Sequence, residues 1–198
     1  MKKLELFNLT EDNFNKNKKL LLEILKQRSL LKGDFTLASG QKSNFYLDAR
    51  LTTLSPDGIN LISHCFLYLI KQLQLEIKII AGPPLGSCPI VNGICQMSYF
   101  TDKQLKACFV RKETKDHGTQ KLIEGSINKG EEVLLVEDVI TSGNSALSAV
   151  KKLRDYGCEV KYMMCLILRD EKAIEIMKKE NIELIYIFKS EEIINTFA

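Results

Sequence analysis

The 198-residue chain is 45% hydrophobic and 27% charged, with a formal net charge of +3, a balance that predicts one globular domain over residues 1–198 with room for a substantial core. So small a charge, spread along the chain, excludes nucleic acid as the main partner, and no apolar run is long enough to span a bilayer. Met1-Lys2-Lys3 leads into Leu4-Glu5-Leu6-Phe7-Asn8 rather than an apolar core with a small-residue cleavage site, so the expected setting is the cytoplasm.

Residues 15–31 read as a helix with Leu20, Leu21, Ile24 and Leu25 on one face and lysines on the other. Residues 35–48 read as two short strands around Ser39-Gly40, a hairpin that adds a small flap to whatever sheet follows. Ser55-Pro56-Asp57 opens a second helix, with a capping hydroxyl and proline in the first turn, that runs to about Gln72. A strand over residues 77–81 then delivers Gly82-Pro83-Pro84-Leu85-Gly86-Ser87, a small-residue loop ahead of a helix. On the residues alone this loop is as well read as a rigid turn as an anion site.

After a short strand at residues 107–110, residues 111–121 carry almost nothing apolar. Arg111, Lys112, Lys115, His117 and Lys121 make them either a solvated charged loop or a lid that closes over an anion. Val133, Leu134, Leu135 and Val136 show no polar alternation, as expected of a strand covered on both faces of a parallel sheet. That strand is expected to end on the adjacent carboxylates Glu137 and Asp138. Thr141-Ser142-Gly143-Asn144-Ser145 and a helical segment over residues 146–153 follow. Small residues at a helix N-terminus let backbone amides approach a phosphate, while the two acids suit hydroxyl groups or a magnesium-bound sugar beside it. A strand over residues 160–168 ends at Arg169-Asp170, residues 170–180 look helical, residues 182–188 form a last strand, and residues 191–198 a helical tail. The six cysteines are never spaced Cys-x-x-Cys and read as buried thiols. Of the two histidines, His64 sits in a helical pattern and reads as structural, so a structural zinc site is not expected.

The apolar strand, acidic pair and Thr/Ser/Gly loop resemble the phosphoribosyl pyrophosphate (PRPP) signature of the type I phosphoribosyltransferase family. With Phe35-Thr36-Leu37-Ala38-Ser39-Gly40 ahead of an aromatic pair, and Arg111-Lys112-Glu113-Thr114-Lys115-Asp116-His117-Gly118, the pattern over residues 35–169 is similar to that of the orotate phosphoribosyltransferases. The resemblance implies an α/β fold, a mostly parallel sheet flanked by helices, with a small hood from the hairpin in residues 1–50 and the C-terminal tail. It also implies transfer of the phosphoribosyl group of PRPP to orotate in pyrimidine biosynthesis, with Mg2+ held mainly by PRPP, in a homodimer whose lid closes over the partner's site. Carried over by motif, the catalytic residues are Lys115, His117 and Asp138. PRPP is assigned to Arg111, Lys112, Lys115, His117, Glu137, Asp138, Val139, Ile140, Thr141, Ser142, Gly143, Asn144 and Ser145, and orotate to Thr141, Arg169, Phe45 and Tyr46.

The chain departs from the family pattern at Gly86, where many orotate enzymes carry lysine, and at Ala38, where some do; Lys42 is the candidate replacement for the latter. A purine- or uracil-specific phosphoribosyltransferase would share the Glu137-Asp138 loop. A PRPP-sensing regulator would dispense with the charged loop and carry a basic surface, which the chain's residues 111–121 and mild charge argue against. A dinucleotide-binding dehydrogenase lacks its Gly-x-Gly-x-x-Gly here.

Overall fold

A computed structural model describes residues 8–36, 42–113 and 121–194. Helix α1 (Glu11–Ile24) starts at Thr10, whose hydroxyl accepts the Asn13 amide at 3.4 Å, and it continues as a wider helical turn over Leu25–Ser29. The sequence pattern ran this helix on to Leu31. Leu30 and Leu31 instead open strand β1 (Leu30–Thr36), because Leu30 pairs with Leu47 of β2 (Lys42–Leu47) and both side chains enter the core. The hairpin therefore begins earlier than its turn signals implied; the turn itself, with Ala38 and Ser39-Gly40, lies outside the described residues. A short helix α2 (Arg50–Thr53) leads to Ser55, which caps α3 (Pro56–Gln72) by accepting the Gly58 amide at 3.2 Å. Arg28 reaches this cap and donates to both Asp57 oxygens at 2.8 and 2.7 Å, fastening the end of the first helix to α3.

The main sheet has six strands: β3 (Ile79–Gly82), β4 (Lys106–Val110), β5 (Ile123–Gly125), β6 (Glu132–Ile140), β7 (Glu159–Leu168) and β8 (Glu183–Lys189). Their order is β5-β4-β3-β6-β7-β8, all neighbours parallel except the edge pair β4–β5. Between them run α4 (Cys88–Ser98), α5 (Asn144–Tyr156) and α6 (Lys172–Lys179), and α7 (Ser190–Ile194) follows β8. The three-residue β5 was not legible in advance, since so short a strand shows no period.

Side chains of a strand alternate between faces, and β6 divides its residues accordingly. Leu134 and Val136 join the core that α1, α3 and α4 cover with Leu21, Ile62, Phe66, Ile90 and Ile94. Val133 and Leu135 join the opposite core, covered by Ala146, Val150 and Leu153 of α5 and Met177 of α6. The strand does not end on its acids: it continues through Glu137 and Asp138 to Ile140, paired with β7 as far as Ile140–Leu168. Continuing the same alternation, Glu137 points toward α5 and Asp138 toward the hood.

Candidate active site

Strand β3 accompanies β6 only to the Ala81–Leu135 pair and then turns away, so the last residues of β6 are laddered on the β7 side. The turn is possible because Gly82 has no side chain. A Cβ there would sit 2.2 Å from Ser87 Oγ and 2.9 Å from the Val136 carbonyl oxygen. Ser87 closes the loop by donating to the Pro83 carbonyl at 2.6 Å. Loops after β2, β3, β4, β6 and β7 thus converge on a cleft of about 410 Å3 at the carboxyl end of the sheet, where ligands of such sheets bind. A separate cavity of about 610 Å3, lined by Leu67, Ile70, Leu75 and Leu105 among others, lies near the starts of β3 and β4, away from the strand ends that carry the acids.

The carboxylates in the cleft are chemically unlike ordinary surface acids. Glu137 is 7% exposed. Burial, and then the neighbouring Asp138 charge, pushes its carboxyl up to about 8, opposed by the Lys112 ammonium and a hydrogen bond with Ser145. Burial also raises Asp138, while the Val139 amide, donating to Oδ1 at 2.9 Å, and the Arg50 charge pull the other way. Arg50 is itself held by Asp48, donating through Nε at 2.8 Å and Nη2 at 3.0 Å. Gly86 lies directly against the Asp138 carboxylate: a Cβ there would come within 2.3 Å of Oδ2.

Beyond β6 the backbone turns into α5 through Gly143, whose φ of +76° favours glycine. No side chain caps this helix among the described residues, so its first amides face the loop and provide an anion site reinforced by the helix dipole. The cleft therefore brings together an uncapped helix N-terminus, one buried and one half-buried carboxylic group, Glu137 and Asp138, and the cations Arg50, Lys112 and Arg169 around one space.

Of the residues expected at the site, Tyr46, Lys112, Glu137, Asp138, Val139, Thr141, Ser145 and Arg169 line the cleft. Arg111 and Asn144 line an adjoining recess of about 380 Å3 together with Lys112 and Ser145. The Ile140 side chain is buried in the core, and its carbonyl accepts the Arg169 amide at 2.8 Å. Ser142 is exposed and Gly143 buried in the turn between them. Phe45 packs on the core, as does the Leu47 side chain, whereas the cleft is lined from the hairpin by Tyr46 and residue Leu47. Lys115 and His117 lie outside the described residues. Lys42 donates to Thr36 Oγ1 at 3.2 Å, across the hairpin. Asp48 and Arg50 were missed; an acid and a base two residues apart, just after an aromatic pair, are their only trace in sequence.

A phosphoribosyl transferase domain model matches residues 55–193. The orotate phosphoribosyltransferase of Rhodopirellula baltica is 37% identical over 180 residues, covering 89% of this chain and 93% of the relative. That of Mycobacterium tuberculosis, solved with Fe(III) dicitrate, superimposes with a TM-score of 0.79 at 31% identity, covering 89% of this chain and 98% of the other. The same enzyme solved with 5-phospho-alpha-D-ribosyl 1-diphosphate gives a TM-score of 0.75 at 28% identity, over 89% and 98% of the two chains. Similarity of this extent, joined to an acid pair beside an open helix N-terminus, places the chain in the phosphoribosyltransferase family of pentosyl-transferring enzymes, among the orotate phosphoribosyltransferases.

Proposed function

We propose that the cleft binds PRPP and orotate and transfers the phosphoribosyl group to the base, giving orotidine 5'-monophosphate and pyrophosphate. The observation that carries this reading is the acid pair at the end of β6, Glu137 buried and Asp138 half-buried, beside the first amides of α5, which no side chain caps. A ligand with a phosphate at one end and a diol in the middle satisfies both. The 5-phosphate accepts hydrogen bonds from the amides of residues 141–145, with the Thr141 and Ser145 hydroxyls beside it. Asp138 takes the ribose hydroxyls from the hood side and Glu137 from the α5 side.

Glu137 and Asp138 carry the hard oxygen donors that would hold a magnesium ion if it binds together with the substrate's own phosphates. When bound, such an ion supplies neutralisation of the charge on the leaving pyrophosphate. Lys112, with Arg111, Lys115 and His117, is assigned to the same leaving group. Arg169 is assigned to the orotate carboxylate, and Tyr46 to the face of its ring. As the C1–oxygen bond to pyrophosphate lengthens and the ring nitrogen approaches C1, positive charge gathers on the ribose between the two acids. Acceleration comes from positioning and electrostatics without a covalent enzyme intermediate.

The proposed working unit is one domain over residues 1–198, paired in a symmetric homodimer in which the segment after Lys112 serves the partner's cleft. Leu85 on the cleft rim and Leu51 and Leu54 on the hood are exposed and give a second copy an apolar surface. The six cysteines are unpaired thiols, which fits a reducing cytoplasm. No described helix is long and apolar enough to cross a membrane. The direct test incubates the protein with PRPP, magnesium and one base at a time, following pyrophosphate release. Release is expected with orotate; release with adenine, hypoxanthine or uracil in its place refutes the assignment of the acceptor.

A further inference from the structure

Lys152 lies two turns into α5, on the ridge that also carries Ser145, Ser148 and Ala149, the spacing of a single helix face. Its ammonium crosses the recess beside the cleft and donates to two backbone carbonyls on another element, that of Arg111 at 2.9 Å and that of Lys112 at 2.6 Å. These carbonyls stand where β4 has left the sheet. Its ladder to β3 ends at the Gly82–Phe109 pair, and beyond Val110 the strand is held from the β5 side by the Arg111 amide donating to Leu122 at 2.8 Å. A fixed cation on both carbonyls therefore sets the backbone course of the one described stretch of 111–113 that reaches the cleft.

Lys112 belongs to that stretch. Its side chain lines the cleft, where its charge acts on the Glu137 carboxyl. The hydroxyl of Ser145, from the same ridge as Lys152, hydrogen-bonds with Glu137. One face of α5 thus holds both the acid and the backbone that aims the cation toward it. Resting on the transfer reading above, we propose that Lys152 is a positioning residue for the pyrophosphate half of PRPP, acting through the main chain of Arg111 and Lys112 without touching substrate. An ammonium suits this task because it can spread its three donors over two carbonyls at once.

Lys152→Met keeps the carbon stem and removes the ammonium. Its KM for PRPP is expected to rise about five- to tenfold while kcat and the KM for orotate stay within about twofold, the pattern of lost ground-state positioning. Amide exchange across residues 109–113 is expected to quicken at least about fivefold, with exchange in β6 unchanged, since only the local opening is made easier. A KM for PRPP within about twofold of wild type, or one that rises together with the KM for orotate, overturns the positioning role. The exchange measurement needs no turnover: unchanged exchange at 109–113 overturns the proposal by itself, whereas a wild-type protein inactive on orotate sinks the transfer reading instead. Lys152→Gln gives the same two readouts if the methionine variant does not fold.

Discussion

Glu137 is the side chain whose chemistry the fold changes most. Its carboxyl, ordinarily near 4.5, is lifted by burial and by the Asp138 charge to about 8. An acid raised in this way keeps its proton in the folded chain where the unfolded chain has released it. Its contribution to stability therefore falls as pH rises from about 4.5 to about 8 and is level above that. Glu137→Gln removes this dependence. The variant should melt at a higher temperature than wild type at alkaline pH, with the gap closing as pH falls toward the ordinary carboxyl range. Thermal melts of both proteins across pH decide it, and a gap that does not change with pH removes the buried acid as its cause. Gly86 is the second decisive residue, because a Cβ there would come within 2.3 Å of Asp138 Oδ2, closer than the carboxylate in its present place allows. Gly86→Ala must swing the carboxylate away or lift the loop. We expect kcat/KM for PRPP to fall about tenfold, about 1.4 kcal/mol of transition-state binding, with little change in melting temperature. Wild-type kinetics in the alanine variant would show that Asp138 moves freely and that its position against Gly86 is not what binds the sugar.

At the scale of elements, the cleft is made by strands of unequal length. β3 stops pairing with β6 at Ala81 and β6 runs on to Ile140, so the acids sit on backbone that β3 no longer flanks. β7 ends level with β6, and the bond from the Arg169 amide to the Ile140 carbonyl sets where the arginine leaves the sheet. A guanidinium held there matches a carboxylate in a two-point geometry that lysine lacks. Arg169→Ala should raise the KM for orotate at least about tenfold and leave that for PRPP within about twofold. Equal increases for both substrates would identify an arginine that supports the loop and does not read the base. The hood contributes by the same alternation that organises the sheet. Of consecutive hairpin residues, Phe45 packs on the core and Tyr46 lines the cleft. Of the aromatic pair, Tyr46 is therefore the one that lines the cleft, with Leu47 beside it.

For the whole molecule, the prediction concerns sharing of sites between subunits. If the segment containing Lys115 serves the partner's cleft, a Lys115→Ala subunit still offers an intact acid pair and an Asp138→Asn subunit still offers an intact cationic segment. Each is expected to be nearly inactive as a homodimer. Mixed in equal amounts and allowed to exchange, they form heterodimers as about half of all dimers, each with one intact site of two, so activity returns to roughly a quarter of wild type. Verified exchange without recovery above the separate variants means that the segment works within its own chain.

Much of this molecule was legible from local pattern. The unbroken apolar run of residues 133–136, the cap and proline of α3, and a small-residue loop after an acidic pair are signals complete within a few residues. They sufficed for a covered parallel strand, a helix start and a loop that turns from strand into helix. The same local signals misplaced the end of the first helix, because Leu30 fits a helical stripe as well as a strand and only its pairing with Leu47 chooses between them. They could not show that Glu137 and Asp138 point to opposite faces, that Gly86 lies against Asp138, or that Lys152 reaches the carbonyls of Arg111 and Lys112. Each of these depends on residues brought together from distant positions. Sequence determined which groups carry charge and which segments bury themselves; tertiary packing alone decided which charges lose their water and which backbone they hold, because desolvation and contact depend on neighbours in space rather than neighbours along the chain.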